Sequence, residues 1–252
     1  LALLAGMSPE QILDFSASIN PLGPPEGLRA AISRGIANLV RYPDPDCSDL
    51  VEILARRHGV TSDRIVVGNG STEILFALAR AFAPARTVIP VPSYIDYATA
   101  ARSAGCEVDL LKLQESGGFA VDWISLEGRL RGDEIVLLGQ PNNPTGRAFN
   151  ADEFCRLAAR RPDIAFIVDE AFSDFAAGYR SLAARMGMNV IVVRSLTKFY
   201  AVPGLRLGYA VADAATIRRI RSQVLPWSVG ALAQQAAAAV LSDDDYARRS
   251  VA

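Results

Sequence analysis

Lysine, histidine and net charge are all scarce in this sequence. Of its 252 residues, 26 are lysine or arginine and 27 are aspartate or glutamate, which gives a formal net charge of −1. Only Lys112 and Lys198 are lysines, so arginine supplies nearly all the positive charge. A chain so close to neutrality lacks the basic surface that attracts nucleic acids or anionic membranes. We therefore expect no nucleic-acid or membrane partner and predict a small-molecule ligand.

Cysteine and histidine are too few for a disulfide scaffold or a histidine-rich metal site. The three cysteines, Cys47, Cys106 and Cys155, lie far apart and form no CxxC or zinc-binding spacing. That usage fits a reducing, cytoplasmic compartment. The single histidine, His58, is predicted to be a plain surface residue. We predict no bound metal.

Long hydrophobic runs are also missing. A helix that spans a bilayer needs about 20 apolar residues, and no run in the sequence approaches that length. The first residues lack an initiator methionine and the basic region of a signal peptide. We therefore expect the chain to be a fragment whose true start lies upstream.

The hydrophobic pattern indicates the fold. Between residues 64 and 212, short β-branched runs alternate with longer segments of helical period. This alternation predicts an α/β fold with a mostly parallel sheet and helices on both faces. The predicted strands cover residues 65–67, 88–91, 108–111, 135–138, 166–168, 190–193 and 207–211. One predicted helix begins after Gly70, and three others cover about residues 151–160, 213–224 and 230–241.

Chemically unusual residues follow four of the predicted strands. These loops begin with Gly68-Asn-Gly-Ser-Thr, Gln140-Pro-Asn-Asn-Pro-Thr-Gly, Asp169-Glu-Ala-Phe and Arg194-Ser-Leu-Thr-Lys. In an open parallel sheet, ligands bind beyond the carboxyl ends of the strands. The four loops should therefore meet at one edge of the sheet and form a site there.

Each of these residues alone has a plain structural interpretation. The glycine loop before a helix suits a phosphate, but Glu73 breaks the GxGxxG pattern of dinucleotide sites, and a tight turn explains the loop equally well. Asp169 could cap a helix, and Asn143 could be a turn residue. Lys198 lies between apolar residues and near two arginines, which should lower its pKa and suit it to Schiff-base chemistry. Together these parts are what a protein needs to hold pyridoxal phosphate.

Three segments carry a resemblance to a known family: Pro141-Asn-Asn-Pro-Thr-Gly, Val168-Asp-Glu-Ala, and the run from Ser195 through Lys198-Phe-Tyr-Ala-Val-Pro-Gly-Leu-Arg to Tyr209. They resemble the pyridoxal-phosphate enzymes of fold type I and, within them, the histidinol-phosphate aminotransferase group. More narrowly, this last run and Asp14-Phe-Ser-Ala-Ser-Ile-Asn-Pro-Leu-Gly-Pro-Pro look like the threonine-phosphate decarboxylases of cobalamin biosynthesis. The resemblance covers residues 13 to 212, about four fifths of the chain.

The resemblance implies a role for each matching residue. Lys198 would bind the cofactor covalently, Asp169 would contact its pyridine nitrogen and Asn143 its ring oxygen. Tyr94 would stack on the ring, with Tyr97 the less favoured candidate. The phosphate would be held by Ser71, Thr72, Ser195 and Arg206. Tyr42 would reach the phosphate of a neighbouring subunit, which implies a homodimer, and Asn20, Gly23 and Asn143 would bind the substrate.

The resemblance also implies how the chain is divided. Residues 1–40 would form an N-terminal arm with the substrate loop, 41–240 the large cofactor-binding domain, and 241–252 the start of a small C-terminal domain that is cut off. Two departures stand out. Phe172 replaces a tyrosine that many relatives use as a donor to the ring oxygen, and no segment matches the arginine that grips the substrate carboxylate.

These observations leave three functional hypotheses. The first is pyridoxal-phosphate-dependent decarboxylation of O-phospho-L-threonine to (R)-1-aminopropan-2-yl phosphate, in which Lys198 also serves as a general acid. The second is an aminotransferase of the histidinol-phosphate type, which would use the same residues. The third, from another class, is a non-catalytic domain that binds pyridoxal phosphate.

Overall fold

The computed structural model describes residues 2–13, 17–185 and 187–251. Asp14, Phe15 and Ser16, which begin one of the segments behind the family resemblance, lie outside the described residues, as do the terminal residues of the predicted arm and C-terminal segment. The predicted division into three segments at residues 40 and 240 stays a prediction.

A seven-stranded sheet forms the centre of the described part of the chain, in the order β1-β7-β6-β5-β4-β2-β3. All seven predicted strands are present. Their bounds are β1 Ile65–Asn69, β2 Arg86–Val91, β3 Glu107–Lys112, β4 Ile135–Gly139, β5 Ala165–Asp169, β6 Val190–Ser195 and β7 Leu207–Val211. β7 runs antiparallel to both neighbours, and the other pairs are parallel. The sheet is mostly parallel, as predicted.

Helices follow most of the strands, and α7 and α8 are among those that begin at side-chain caps. The Asn150 side chain accepts hydrogen bonds from two main-chain amides and starts α7, and Asp213 starts α8 in the same way. α7 has the predicted bounds, whereas α8 ends at Arg221, three residues early. The helices are α1 Ala2–Ala5, α2 Gly27–Ile36, α3 Ser48–His58, α4 Gly70–Phe82, α5 Asp96–Ser103, α6 Trp123–Glu127, α7 Ala151–Arg160, α8 Ala214–Arg221, α9 Ala231–Leu241 and α10 Asp244–Val251.

The core lies on both faces of the sheet because side chains alternate along each strand. In β5, Phe166 and Val168 join the apolar cluster that packs against α3, α7 and α9. Ile167 points the other way, into the cluster beneath α4, α5 and α8. The predicted α/β fold with helices on both faces is therefore confirmed, and the carboxyl edge of the parallel strands is left open between the two helical layers.

His58 is not the surface residue that the sequence suggested. It follows Leu50 and Leu54 at helical spacing on the buried face of α3, and its Nε2 lies 2.9 Å from the Tyr209 hydroxyl. Burial lowers the pKa of His58 to about 4, and the nearby positive charge of Arg194 acts in the same direction. The prediction failed because the helical period was not applied to a titratable residue.

Two findings concern the surface and the membrane. Lys112 is exposed on β3, between Leu111 and Leu113. Among the described residues, no helix is long and apolar enough to cross a membrane.

Candidate active site

A narrow pocket opens at the carboxyl edge of the sheet. It is lined by residues from the four loops that the sequence predicted to converge there and from the segment after β2: Ser71, Tyr94, Tyr97, Pro141, Asn143, Asp169, Ala171, Phe172 and Lys198. Parallel strands end at the same edge, so residues that are far apart in the sequence meet in one place. The pocket therefore brings the predicted lysine, aspartate, asparagine and aromatic residues together.

The first turn of α4 forms one end of this site. The chain leaves β1 and turns at Gly70, whose φ of +80° favours glycine. A Cβ at Gly70 would lie 2.4 Å from Nη2 of Arg206, and one at Gly208 would lie 2.1 Å from the main-chain nitrogen of Ser71. The two glycines thus let Arg206 and β7 approach the helix start, where free amide groups and a guanidinium can bind an anion.

Hydroxyl groups surround this helix start. Ser71 and Thr72 lie in the first turn of α4, and Ser71 is buried. Ser195 lies at the end of β6, and its Oγ is 2.8 Å from the Thr197 hydroxyl. Thr197 was not among the predicted site residues although it lies inside the quoted Ser195-Leu-Thr-Lys motif. Its hydroxyl orients Ser195 rather than lining the pocket.

Lys198 is the amine of the site. Its Nζ lies 3.4 Å from the Ser195 Oγ, and the side chain is partly buried. Burial lowers the pKa of Lys198, the charge of Asp169 raises it, and that of Arg206 lowers it. The lowered pKa predicted from the sequence is confirmed in direction, and it increases the fraction of neutral, nucleophilic amine near pH 7.

Asp169 ends β5 and holds its carboxylate at the bottom of the pocket. Its Oδ1 accepts a hydrogen bond from the Ala171 amide at 3.0 Å, and its Oδ2 accepts one from the Tyr97 hydroxyl at 3.0 Å. Burial raises the pKa of Asp169, whereas these two hydrogen bonds and the charge of Lys198 act against that rise. The carboxylate is therefore held in a fixed direction without a salt bridge in the described structure.

Two tyrosines were candidates for stacking on a ring, and the structure separates them. Tyr94 lies partly exposed at the pocket, and its hydroxyl donates to Asp96 at 2.6 Å. Tyr97 is only 2 % exposed and meets Tyr94 edge to face, with ring centroids 5.6 Å apart. Tyr97 thus contacts Asp169, and the sequence analysis missed that contact. Tyr94 lies just before α5 and Tyr97 in its first turn, and their spacing of three residues was the available signal.

Six predicted residues do not line this pocket, and they are Thr72, Ser195, Arg206, Tyr42, Asn20 and Gly23. Tyr42 is 83 % exposed, and its ring lies 5.1 Å from that of Trp227. Asn20 is buried: its amide nitrogen donates to the carbonyl of Phe199 at 2.9 Å, and its Oδ1 accepts from the Leu22 amide. The carbonyl of Gly23 accepts a hydrogen bond from the Tyr246 hydroxyl at 2.7 Å. The Asn20 amide is engaged by the protein itself, and substrate contacts of Asn20 and Gly23 stay predictions.

The residues present fit pyridoxal phosphate. An anion site of amides, hydroxyls and Arg206 suits its phosphate, the directed carboxylate of Asp169 suits a protonated pyridine nitrogen, and the Lys198 amine suits its aldehyde. Asn143 and Tyr94 line the same pocket and can meet the ring oxygen and the ring face. Phe172 has no hydroxyl to offer, so Asn143 is the side-chain donor in the lining for that oxygen.

A mostly parallel seven-stranded sheet with a lysine, a carboxylate and an anion site at its carboxyl edge defines the class of pyridoxal-phosphate enzymes of fold type I. The model of the family described as "Aminotransferase class I and II" matches residues 10–252, and the chain belongs to that family. The resemblance found in the sequence is thereby confirmed, and the cofactor of this family is pyridoxal phosphate.

Two individual proteins and one crystal structure show which members of the family the chain resembles. The chain is 40% identical over 250 residues to threonine-phosphate decarboxylase of Salmonella typhimurium, covering 97% of this chain and 69% of that protein. It is 32% identical to the adenosylcobalamin biosynthesis bifunctional protein CobDQ of Leptospira interrogans, covering 99% of this chain and 29% of that protein. The crystal structure of histidinol-phosphate aminotransferase from Clostridium acetobutylicum superposes with a TM-score of 0.87 at 30% identity, covering 95% of this chain and 72% of that one.

Proposed function

We propose that the protein to which this chain belongs decarboxylates O-phospho-L-threonine to (R)-1-aminopropan-2-yl phosphate with pyridoxal phosphate as cofactor. The observation that supports this substrate is the identity to the Salmonella decarboxylase, which is higher than that to the superposed aminotransferase. The relationship to a bifunctional protein of adenosylcobalamin biosynthesis supports a place in that pathway. An aminotransferase of the histidinol-phosphate type is the second candidate.

The chemistry divides between the cofactor and the chain. When bound, pyridoxal phosphate supplies an electron-accepting ring that stabilises the electron pair left at the substrate's α-carbon when one of its bonds breaks. Lys198 would hold the cofactor through Nζ. The same Nζ would hold and deliver a proton at the substrate's α-carbon, and burial lowers its pKa.

The other residues would orient the cofactor ring and hold its phosphate. Asp169 would keep a proton on the ring nitrogen, because the Ala171 amide and the Tyr97 hydroxyl fix the direction of its buried carboxyl group. The phosphate would be bound by Ser71, Thr72, Ser195 and Arg206. Tyr94 would cover the ring, and Asn143 would donate to its oxygen. With Phe172 in place of a tyrosine, that oxygen loses a donor worth about 1 kcal/mol.

Decarboxylase and aminotransferase differ in which substrate bond stands perpendicular to the cofactor ring. A decarboxylase places the carboxylate there, and an aminotransferase places the α-hydrogen there. The residues named above serve both reactions, so an assay of the full-length protein decides between them. Release of carbon dioxide from O-phospho-L-threonine without any oxo-acid acceptor supports the decarboxylase, and strict dependence on an acceptor rejects it in favour of the aminotransferase.

The two lysines test which amine binds the cofactor, and turnover tests the third hypothesis, a non-catalytic binding domain. We expect borohydride to fix pyridoxal phosphate to the wild-type chain and to Lys112→Ala, but not to Lys198→Ala. Lys112 is the matched control because it is the other lysine and is exposed on β3. A fixed adduct in Lys198→Ala would overturn the assignment of the amine. Binding without turnover of any substrate by the full-length protein would favour the non-catalytic domain.

We also propose a homodimer with Tyr42 at the shared interface. Tyr42 and Trp227 pack together while both remain largely exposed, and Val40 and Leu225 are exposed apolar residues on the same two segments of the chain. Sedimentation of the full-length protein tests the dimer, and Tyr42→Ala should weaken cofactor binding if the tyrosine reaches the neighbouring phosphate. A phosphorylated amino acid as partner and a cytoplasmic location belong to the same proposal.

A further inference from the structure

Tyr97 lies at a contact that none of the roles assigned above uses. Its hydroxyl is 3.0 Å from Oδ2 of Asp169, and this is its one side-chain hydrogen bond among the described residues. Tyr97 comes from α5 and Asp169 from β5, so two elements 72 residues apart in sequence meet through this bond. The contact is buried, since Tyr97 is 2 % and Asp169 6 % exposed.

The space for this hydroxyl is provided by a glycine. Gly139 ends β4 directly opposite Asp169 in the parallel register. A Cβ at Gly139 would lie 3.4 Å from the Tyr97 hydroxyl and 2.9 Å from the Cα of Asn142. A side chain at this position would crowd both the tyrosine and the loop that holds Asn143. The end of β4 therefore leaves room for the hydroxyl beside the carboxylate.

The Tyr97 hydroxyl does not ionise near neutral pH. Complete burial and the negative charge of Asp169 raise the pKa of Tyr97 well above its usual value. The phenol stays protonated, and its one hydrogen is directed at the carboxylate. In contrast, the Tyr94 hydroxyl donates to Asp96 at 2.6 Å and is partly exposed.

We propose that Tyr97 is a positioning residue: its buried hydroxyl fixes one oxygen of Asp169 so that the carboxylate stays ionised and keeps the cofactor's ring nitrogen protonated. The inference rests on the proposed pyridoxal-phosphate site. The Ala171 amide holds the other oxygen, so the two donors together fix the carboxylate plane. The other charged or titratable groups that interact electrostatically with Asp169 are Lys198, Glu170 and Tyr94.

The change Tyr97→Phe tests the proposal because it removes only the hydroxyl. In the cofactor-free protein, we expect the acid midpoint of Asp169 to rise by about 0.7 pH unit, or about fivefold in its dissociation constant, since the ionised form loses one donor. The midpoint is measured by NMR from isotope-labelled aspartate carboxyl carbons, and the signal of residue 169 is the one that Asp169→Asn removes. A tyrosine that only fills space would leave this midpoint unchanged.

Tyr179→Phe is the matched control. The Tyr179 hydroxyl donates to Glu170 at 2.7 Å, so the same atom is removed beside the neighbouring carboxylate. This variant should leave the midpoint of Asp169 unchanged. If both variants moved it equally, the effect would come from general loosening and the proposal would be wrong. A fluorinated tyrosine at position 97, which is a stronger donor, should lower the midpoint and gives a test in a protein that keeps the phenol.

The bound state gives an independent readout. With pyridoxal phosphate labelled at its ring nitrogen, the nitrogen resonance of Tyr97→Phe should move toward the value of the unprotonated ring, relative to wild type. An unchanged resonance would overturn the link to the cofactor. If the full-length wild-type protein bound no pyridoxal phosphate, the proposed function would fail, whereas the effect of Tyr97 on the cofactor-free carboxylate would still be decided by the first measurement.

Discussion

Asp169 and Glu170 are consecutive carboxylates at the end of β5, and they face different surroundings. Asp169 points into the pocket and accepts two hydrogen bonds, from Tyr97 and Ala171. Glu170 is fully buried and accepts from four groups: the Tyr179 hydroxyl, the Ser181 hydroxyl, the Leu182 amide and the Arg194 guanidinium. Arg194 in turn reaches Asp174 at 2.6 Å.

The comparison shows how one strand end serves stability and chemistry at once. Side chains alternate along a strand, so neighbouring residues point to opposite sides. On one side the charge of Glu170 is matched by Arg194, and every oxygen has donors. On the other side Asp169 keeps its charge with only two neutral donors, which leaves it able to stabilise a positive group on a ligand. A buried carboxylate paired with an arginine stabilises the fold, whereas a carboxylate with only neutral donors is available to bind a positively charged group of a ligand.

Removal of Glu170 should have the largest effect on stability. We expect Glu170→Ala to lower the free energy of unfolding by about 3–5 kcal/mol, because Arg194, the Tyr179 hydroxyl and the Leu182 amide would lose a buried partner. Urea denaturation of the cofactor-free protein measures this change. A loss no greater than that of Asp169→Asn would contradict the difference between the two carboxylates.

His58 lies near Arg194, the partner of Glu170, and makes the stability of this region depend on pH. Its folded pKa of about 4 lies below the unfolded value, so its contribution to stability is complete above about pH 6.5 and is lost as the pH falls toward 4. We expect wild type to lose about 2 kcal/mol more than His58→Gln over this range. Since His58 is the single histidine, its ring signals also give the midpoint directly by NMR. A midpoint near 6.5 would contradict its burial beside Tyr209.

A single donor to Glu170 should matter less than the carboxylate itself. Tyr179→Phe leaves Ser181, Leu182 and Arg194 in place around Glu170. We expect a loss of about 1 kcal/mol in the free energy of unfolding. The same urea titration measures it, with Tyr179→Leu as a variant that also removes ring packing and should lose more. Equal losses in both would mean that the ring packing contributes nothing, and no loss in Tyr179→Phe would mean that the hydroxyl contributes nothing.

Asp169→Asn should have the smallest effect on stability. An asparagine can still accept from the Ala171 amide, and removal of a buried charge offsets the weaker bond with Tyr97. We expect a change within about 0.5 kcal/mol in the cofactor-free protein. Cofactor binding, measured by the visible spectrum during dialysis, should nevertheless be weakened. Unchanged retention of pyridoxal phosphate would show that the carboxylate is not needed for binding.

Much of this arrangement could be predicted from the sequence, and the reasons are local. The seven strands follow from β-branched runs, and the meeting of Ser71, Asn143, Asp169 and Lys198 follows from the rule that parallel strands end at one edge. The environment of Glu170 could not be predicted. It depends on a donor nine residues later and on an arginine from the next strand of the sheet, and spacing along the chain does not reveal such contacts. The direction of β7 likewise follows from packing rather than from its own residues.

The contacts of Asn20 have a consequence for how the protein is made. Its main-chain amide donates to the carbonyl of Lys198 at 3.1 Å, and its side chain donates to the Ser250 hydroxyl at 2.8 Å, across 230 residues of sequence. A ribosome releases the chain from its amino end, so residue 20 emerges long before either partner. The contacts of Asn20 around Lys198 are therefore completed only when translation has passed residue 250, and a nascent chain stopped earlier lacks the bond to Ser250.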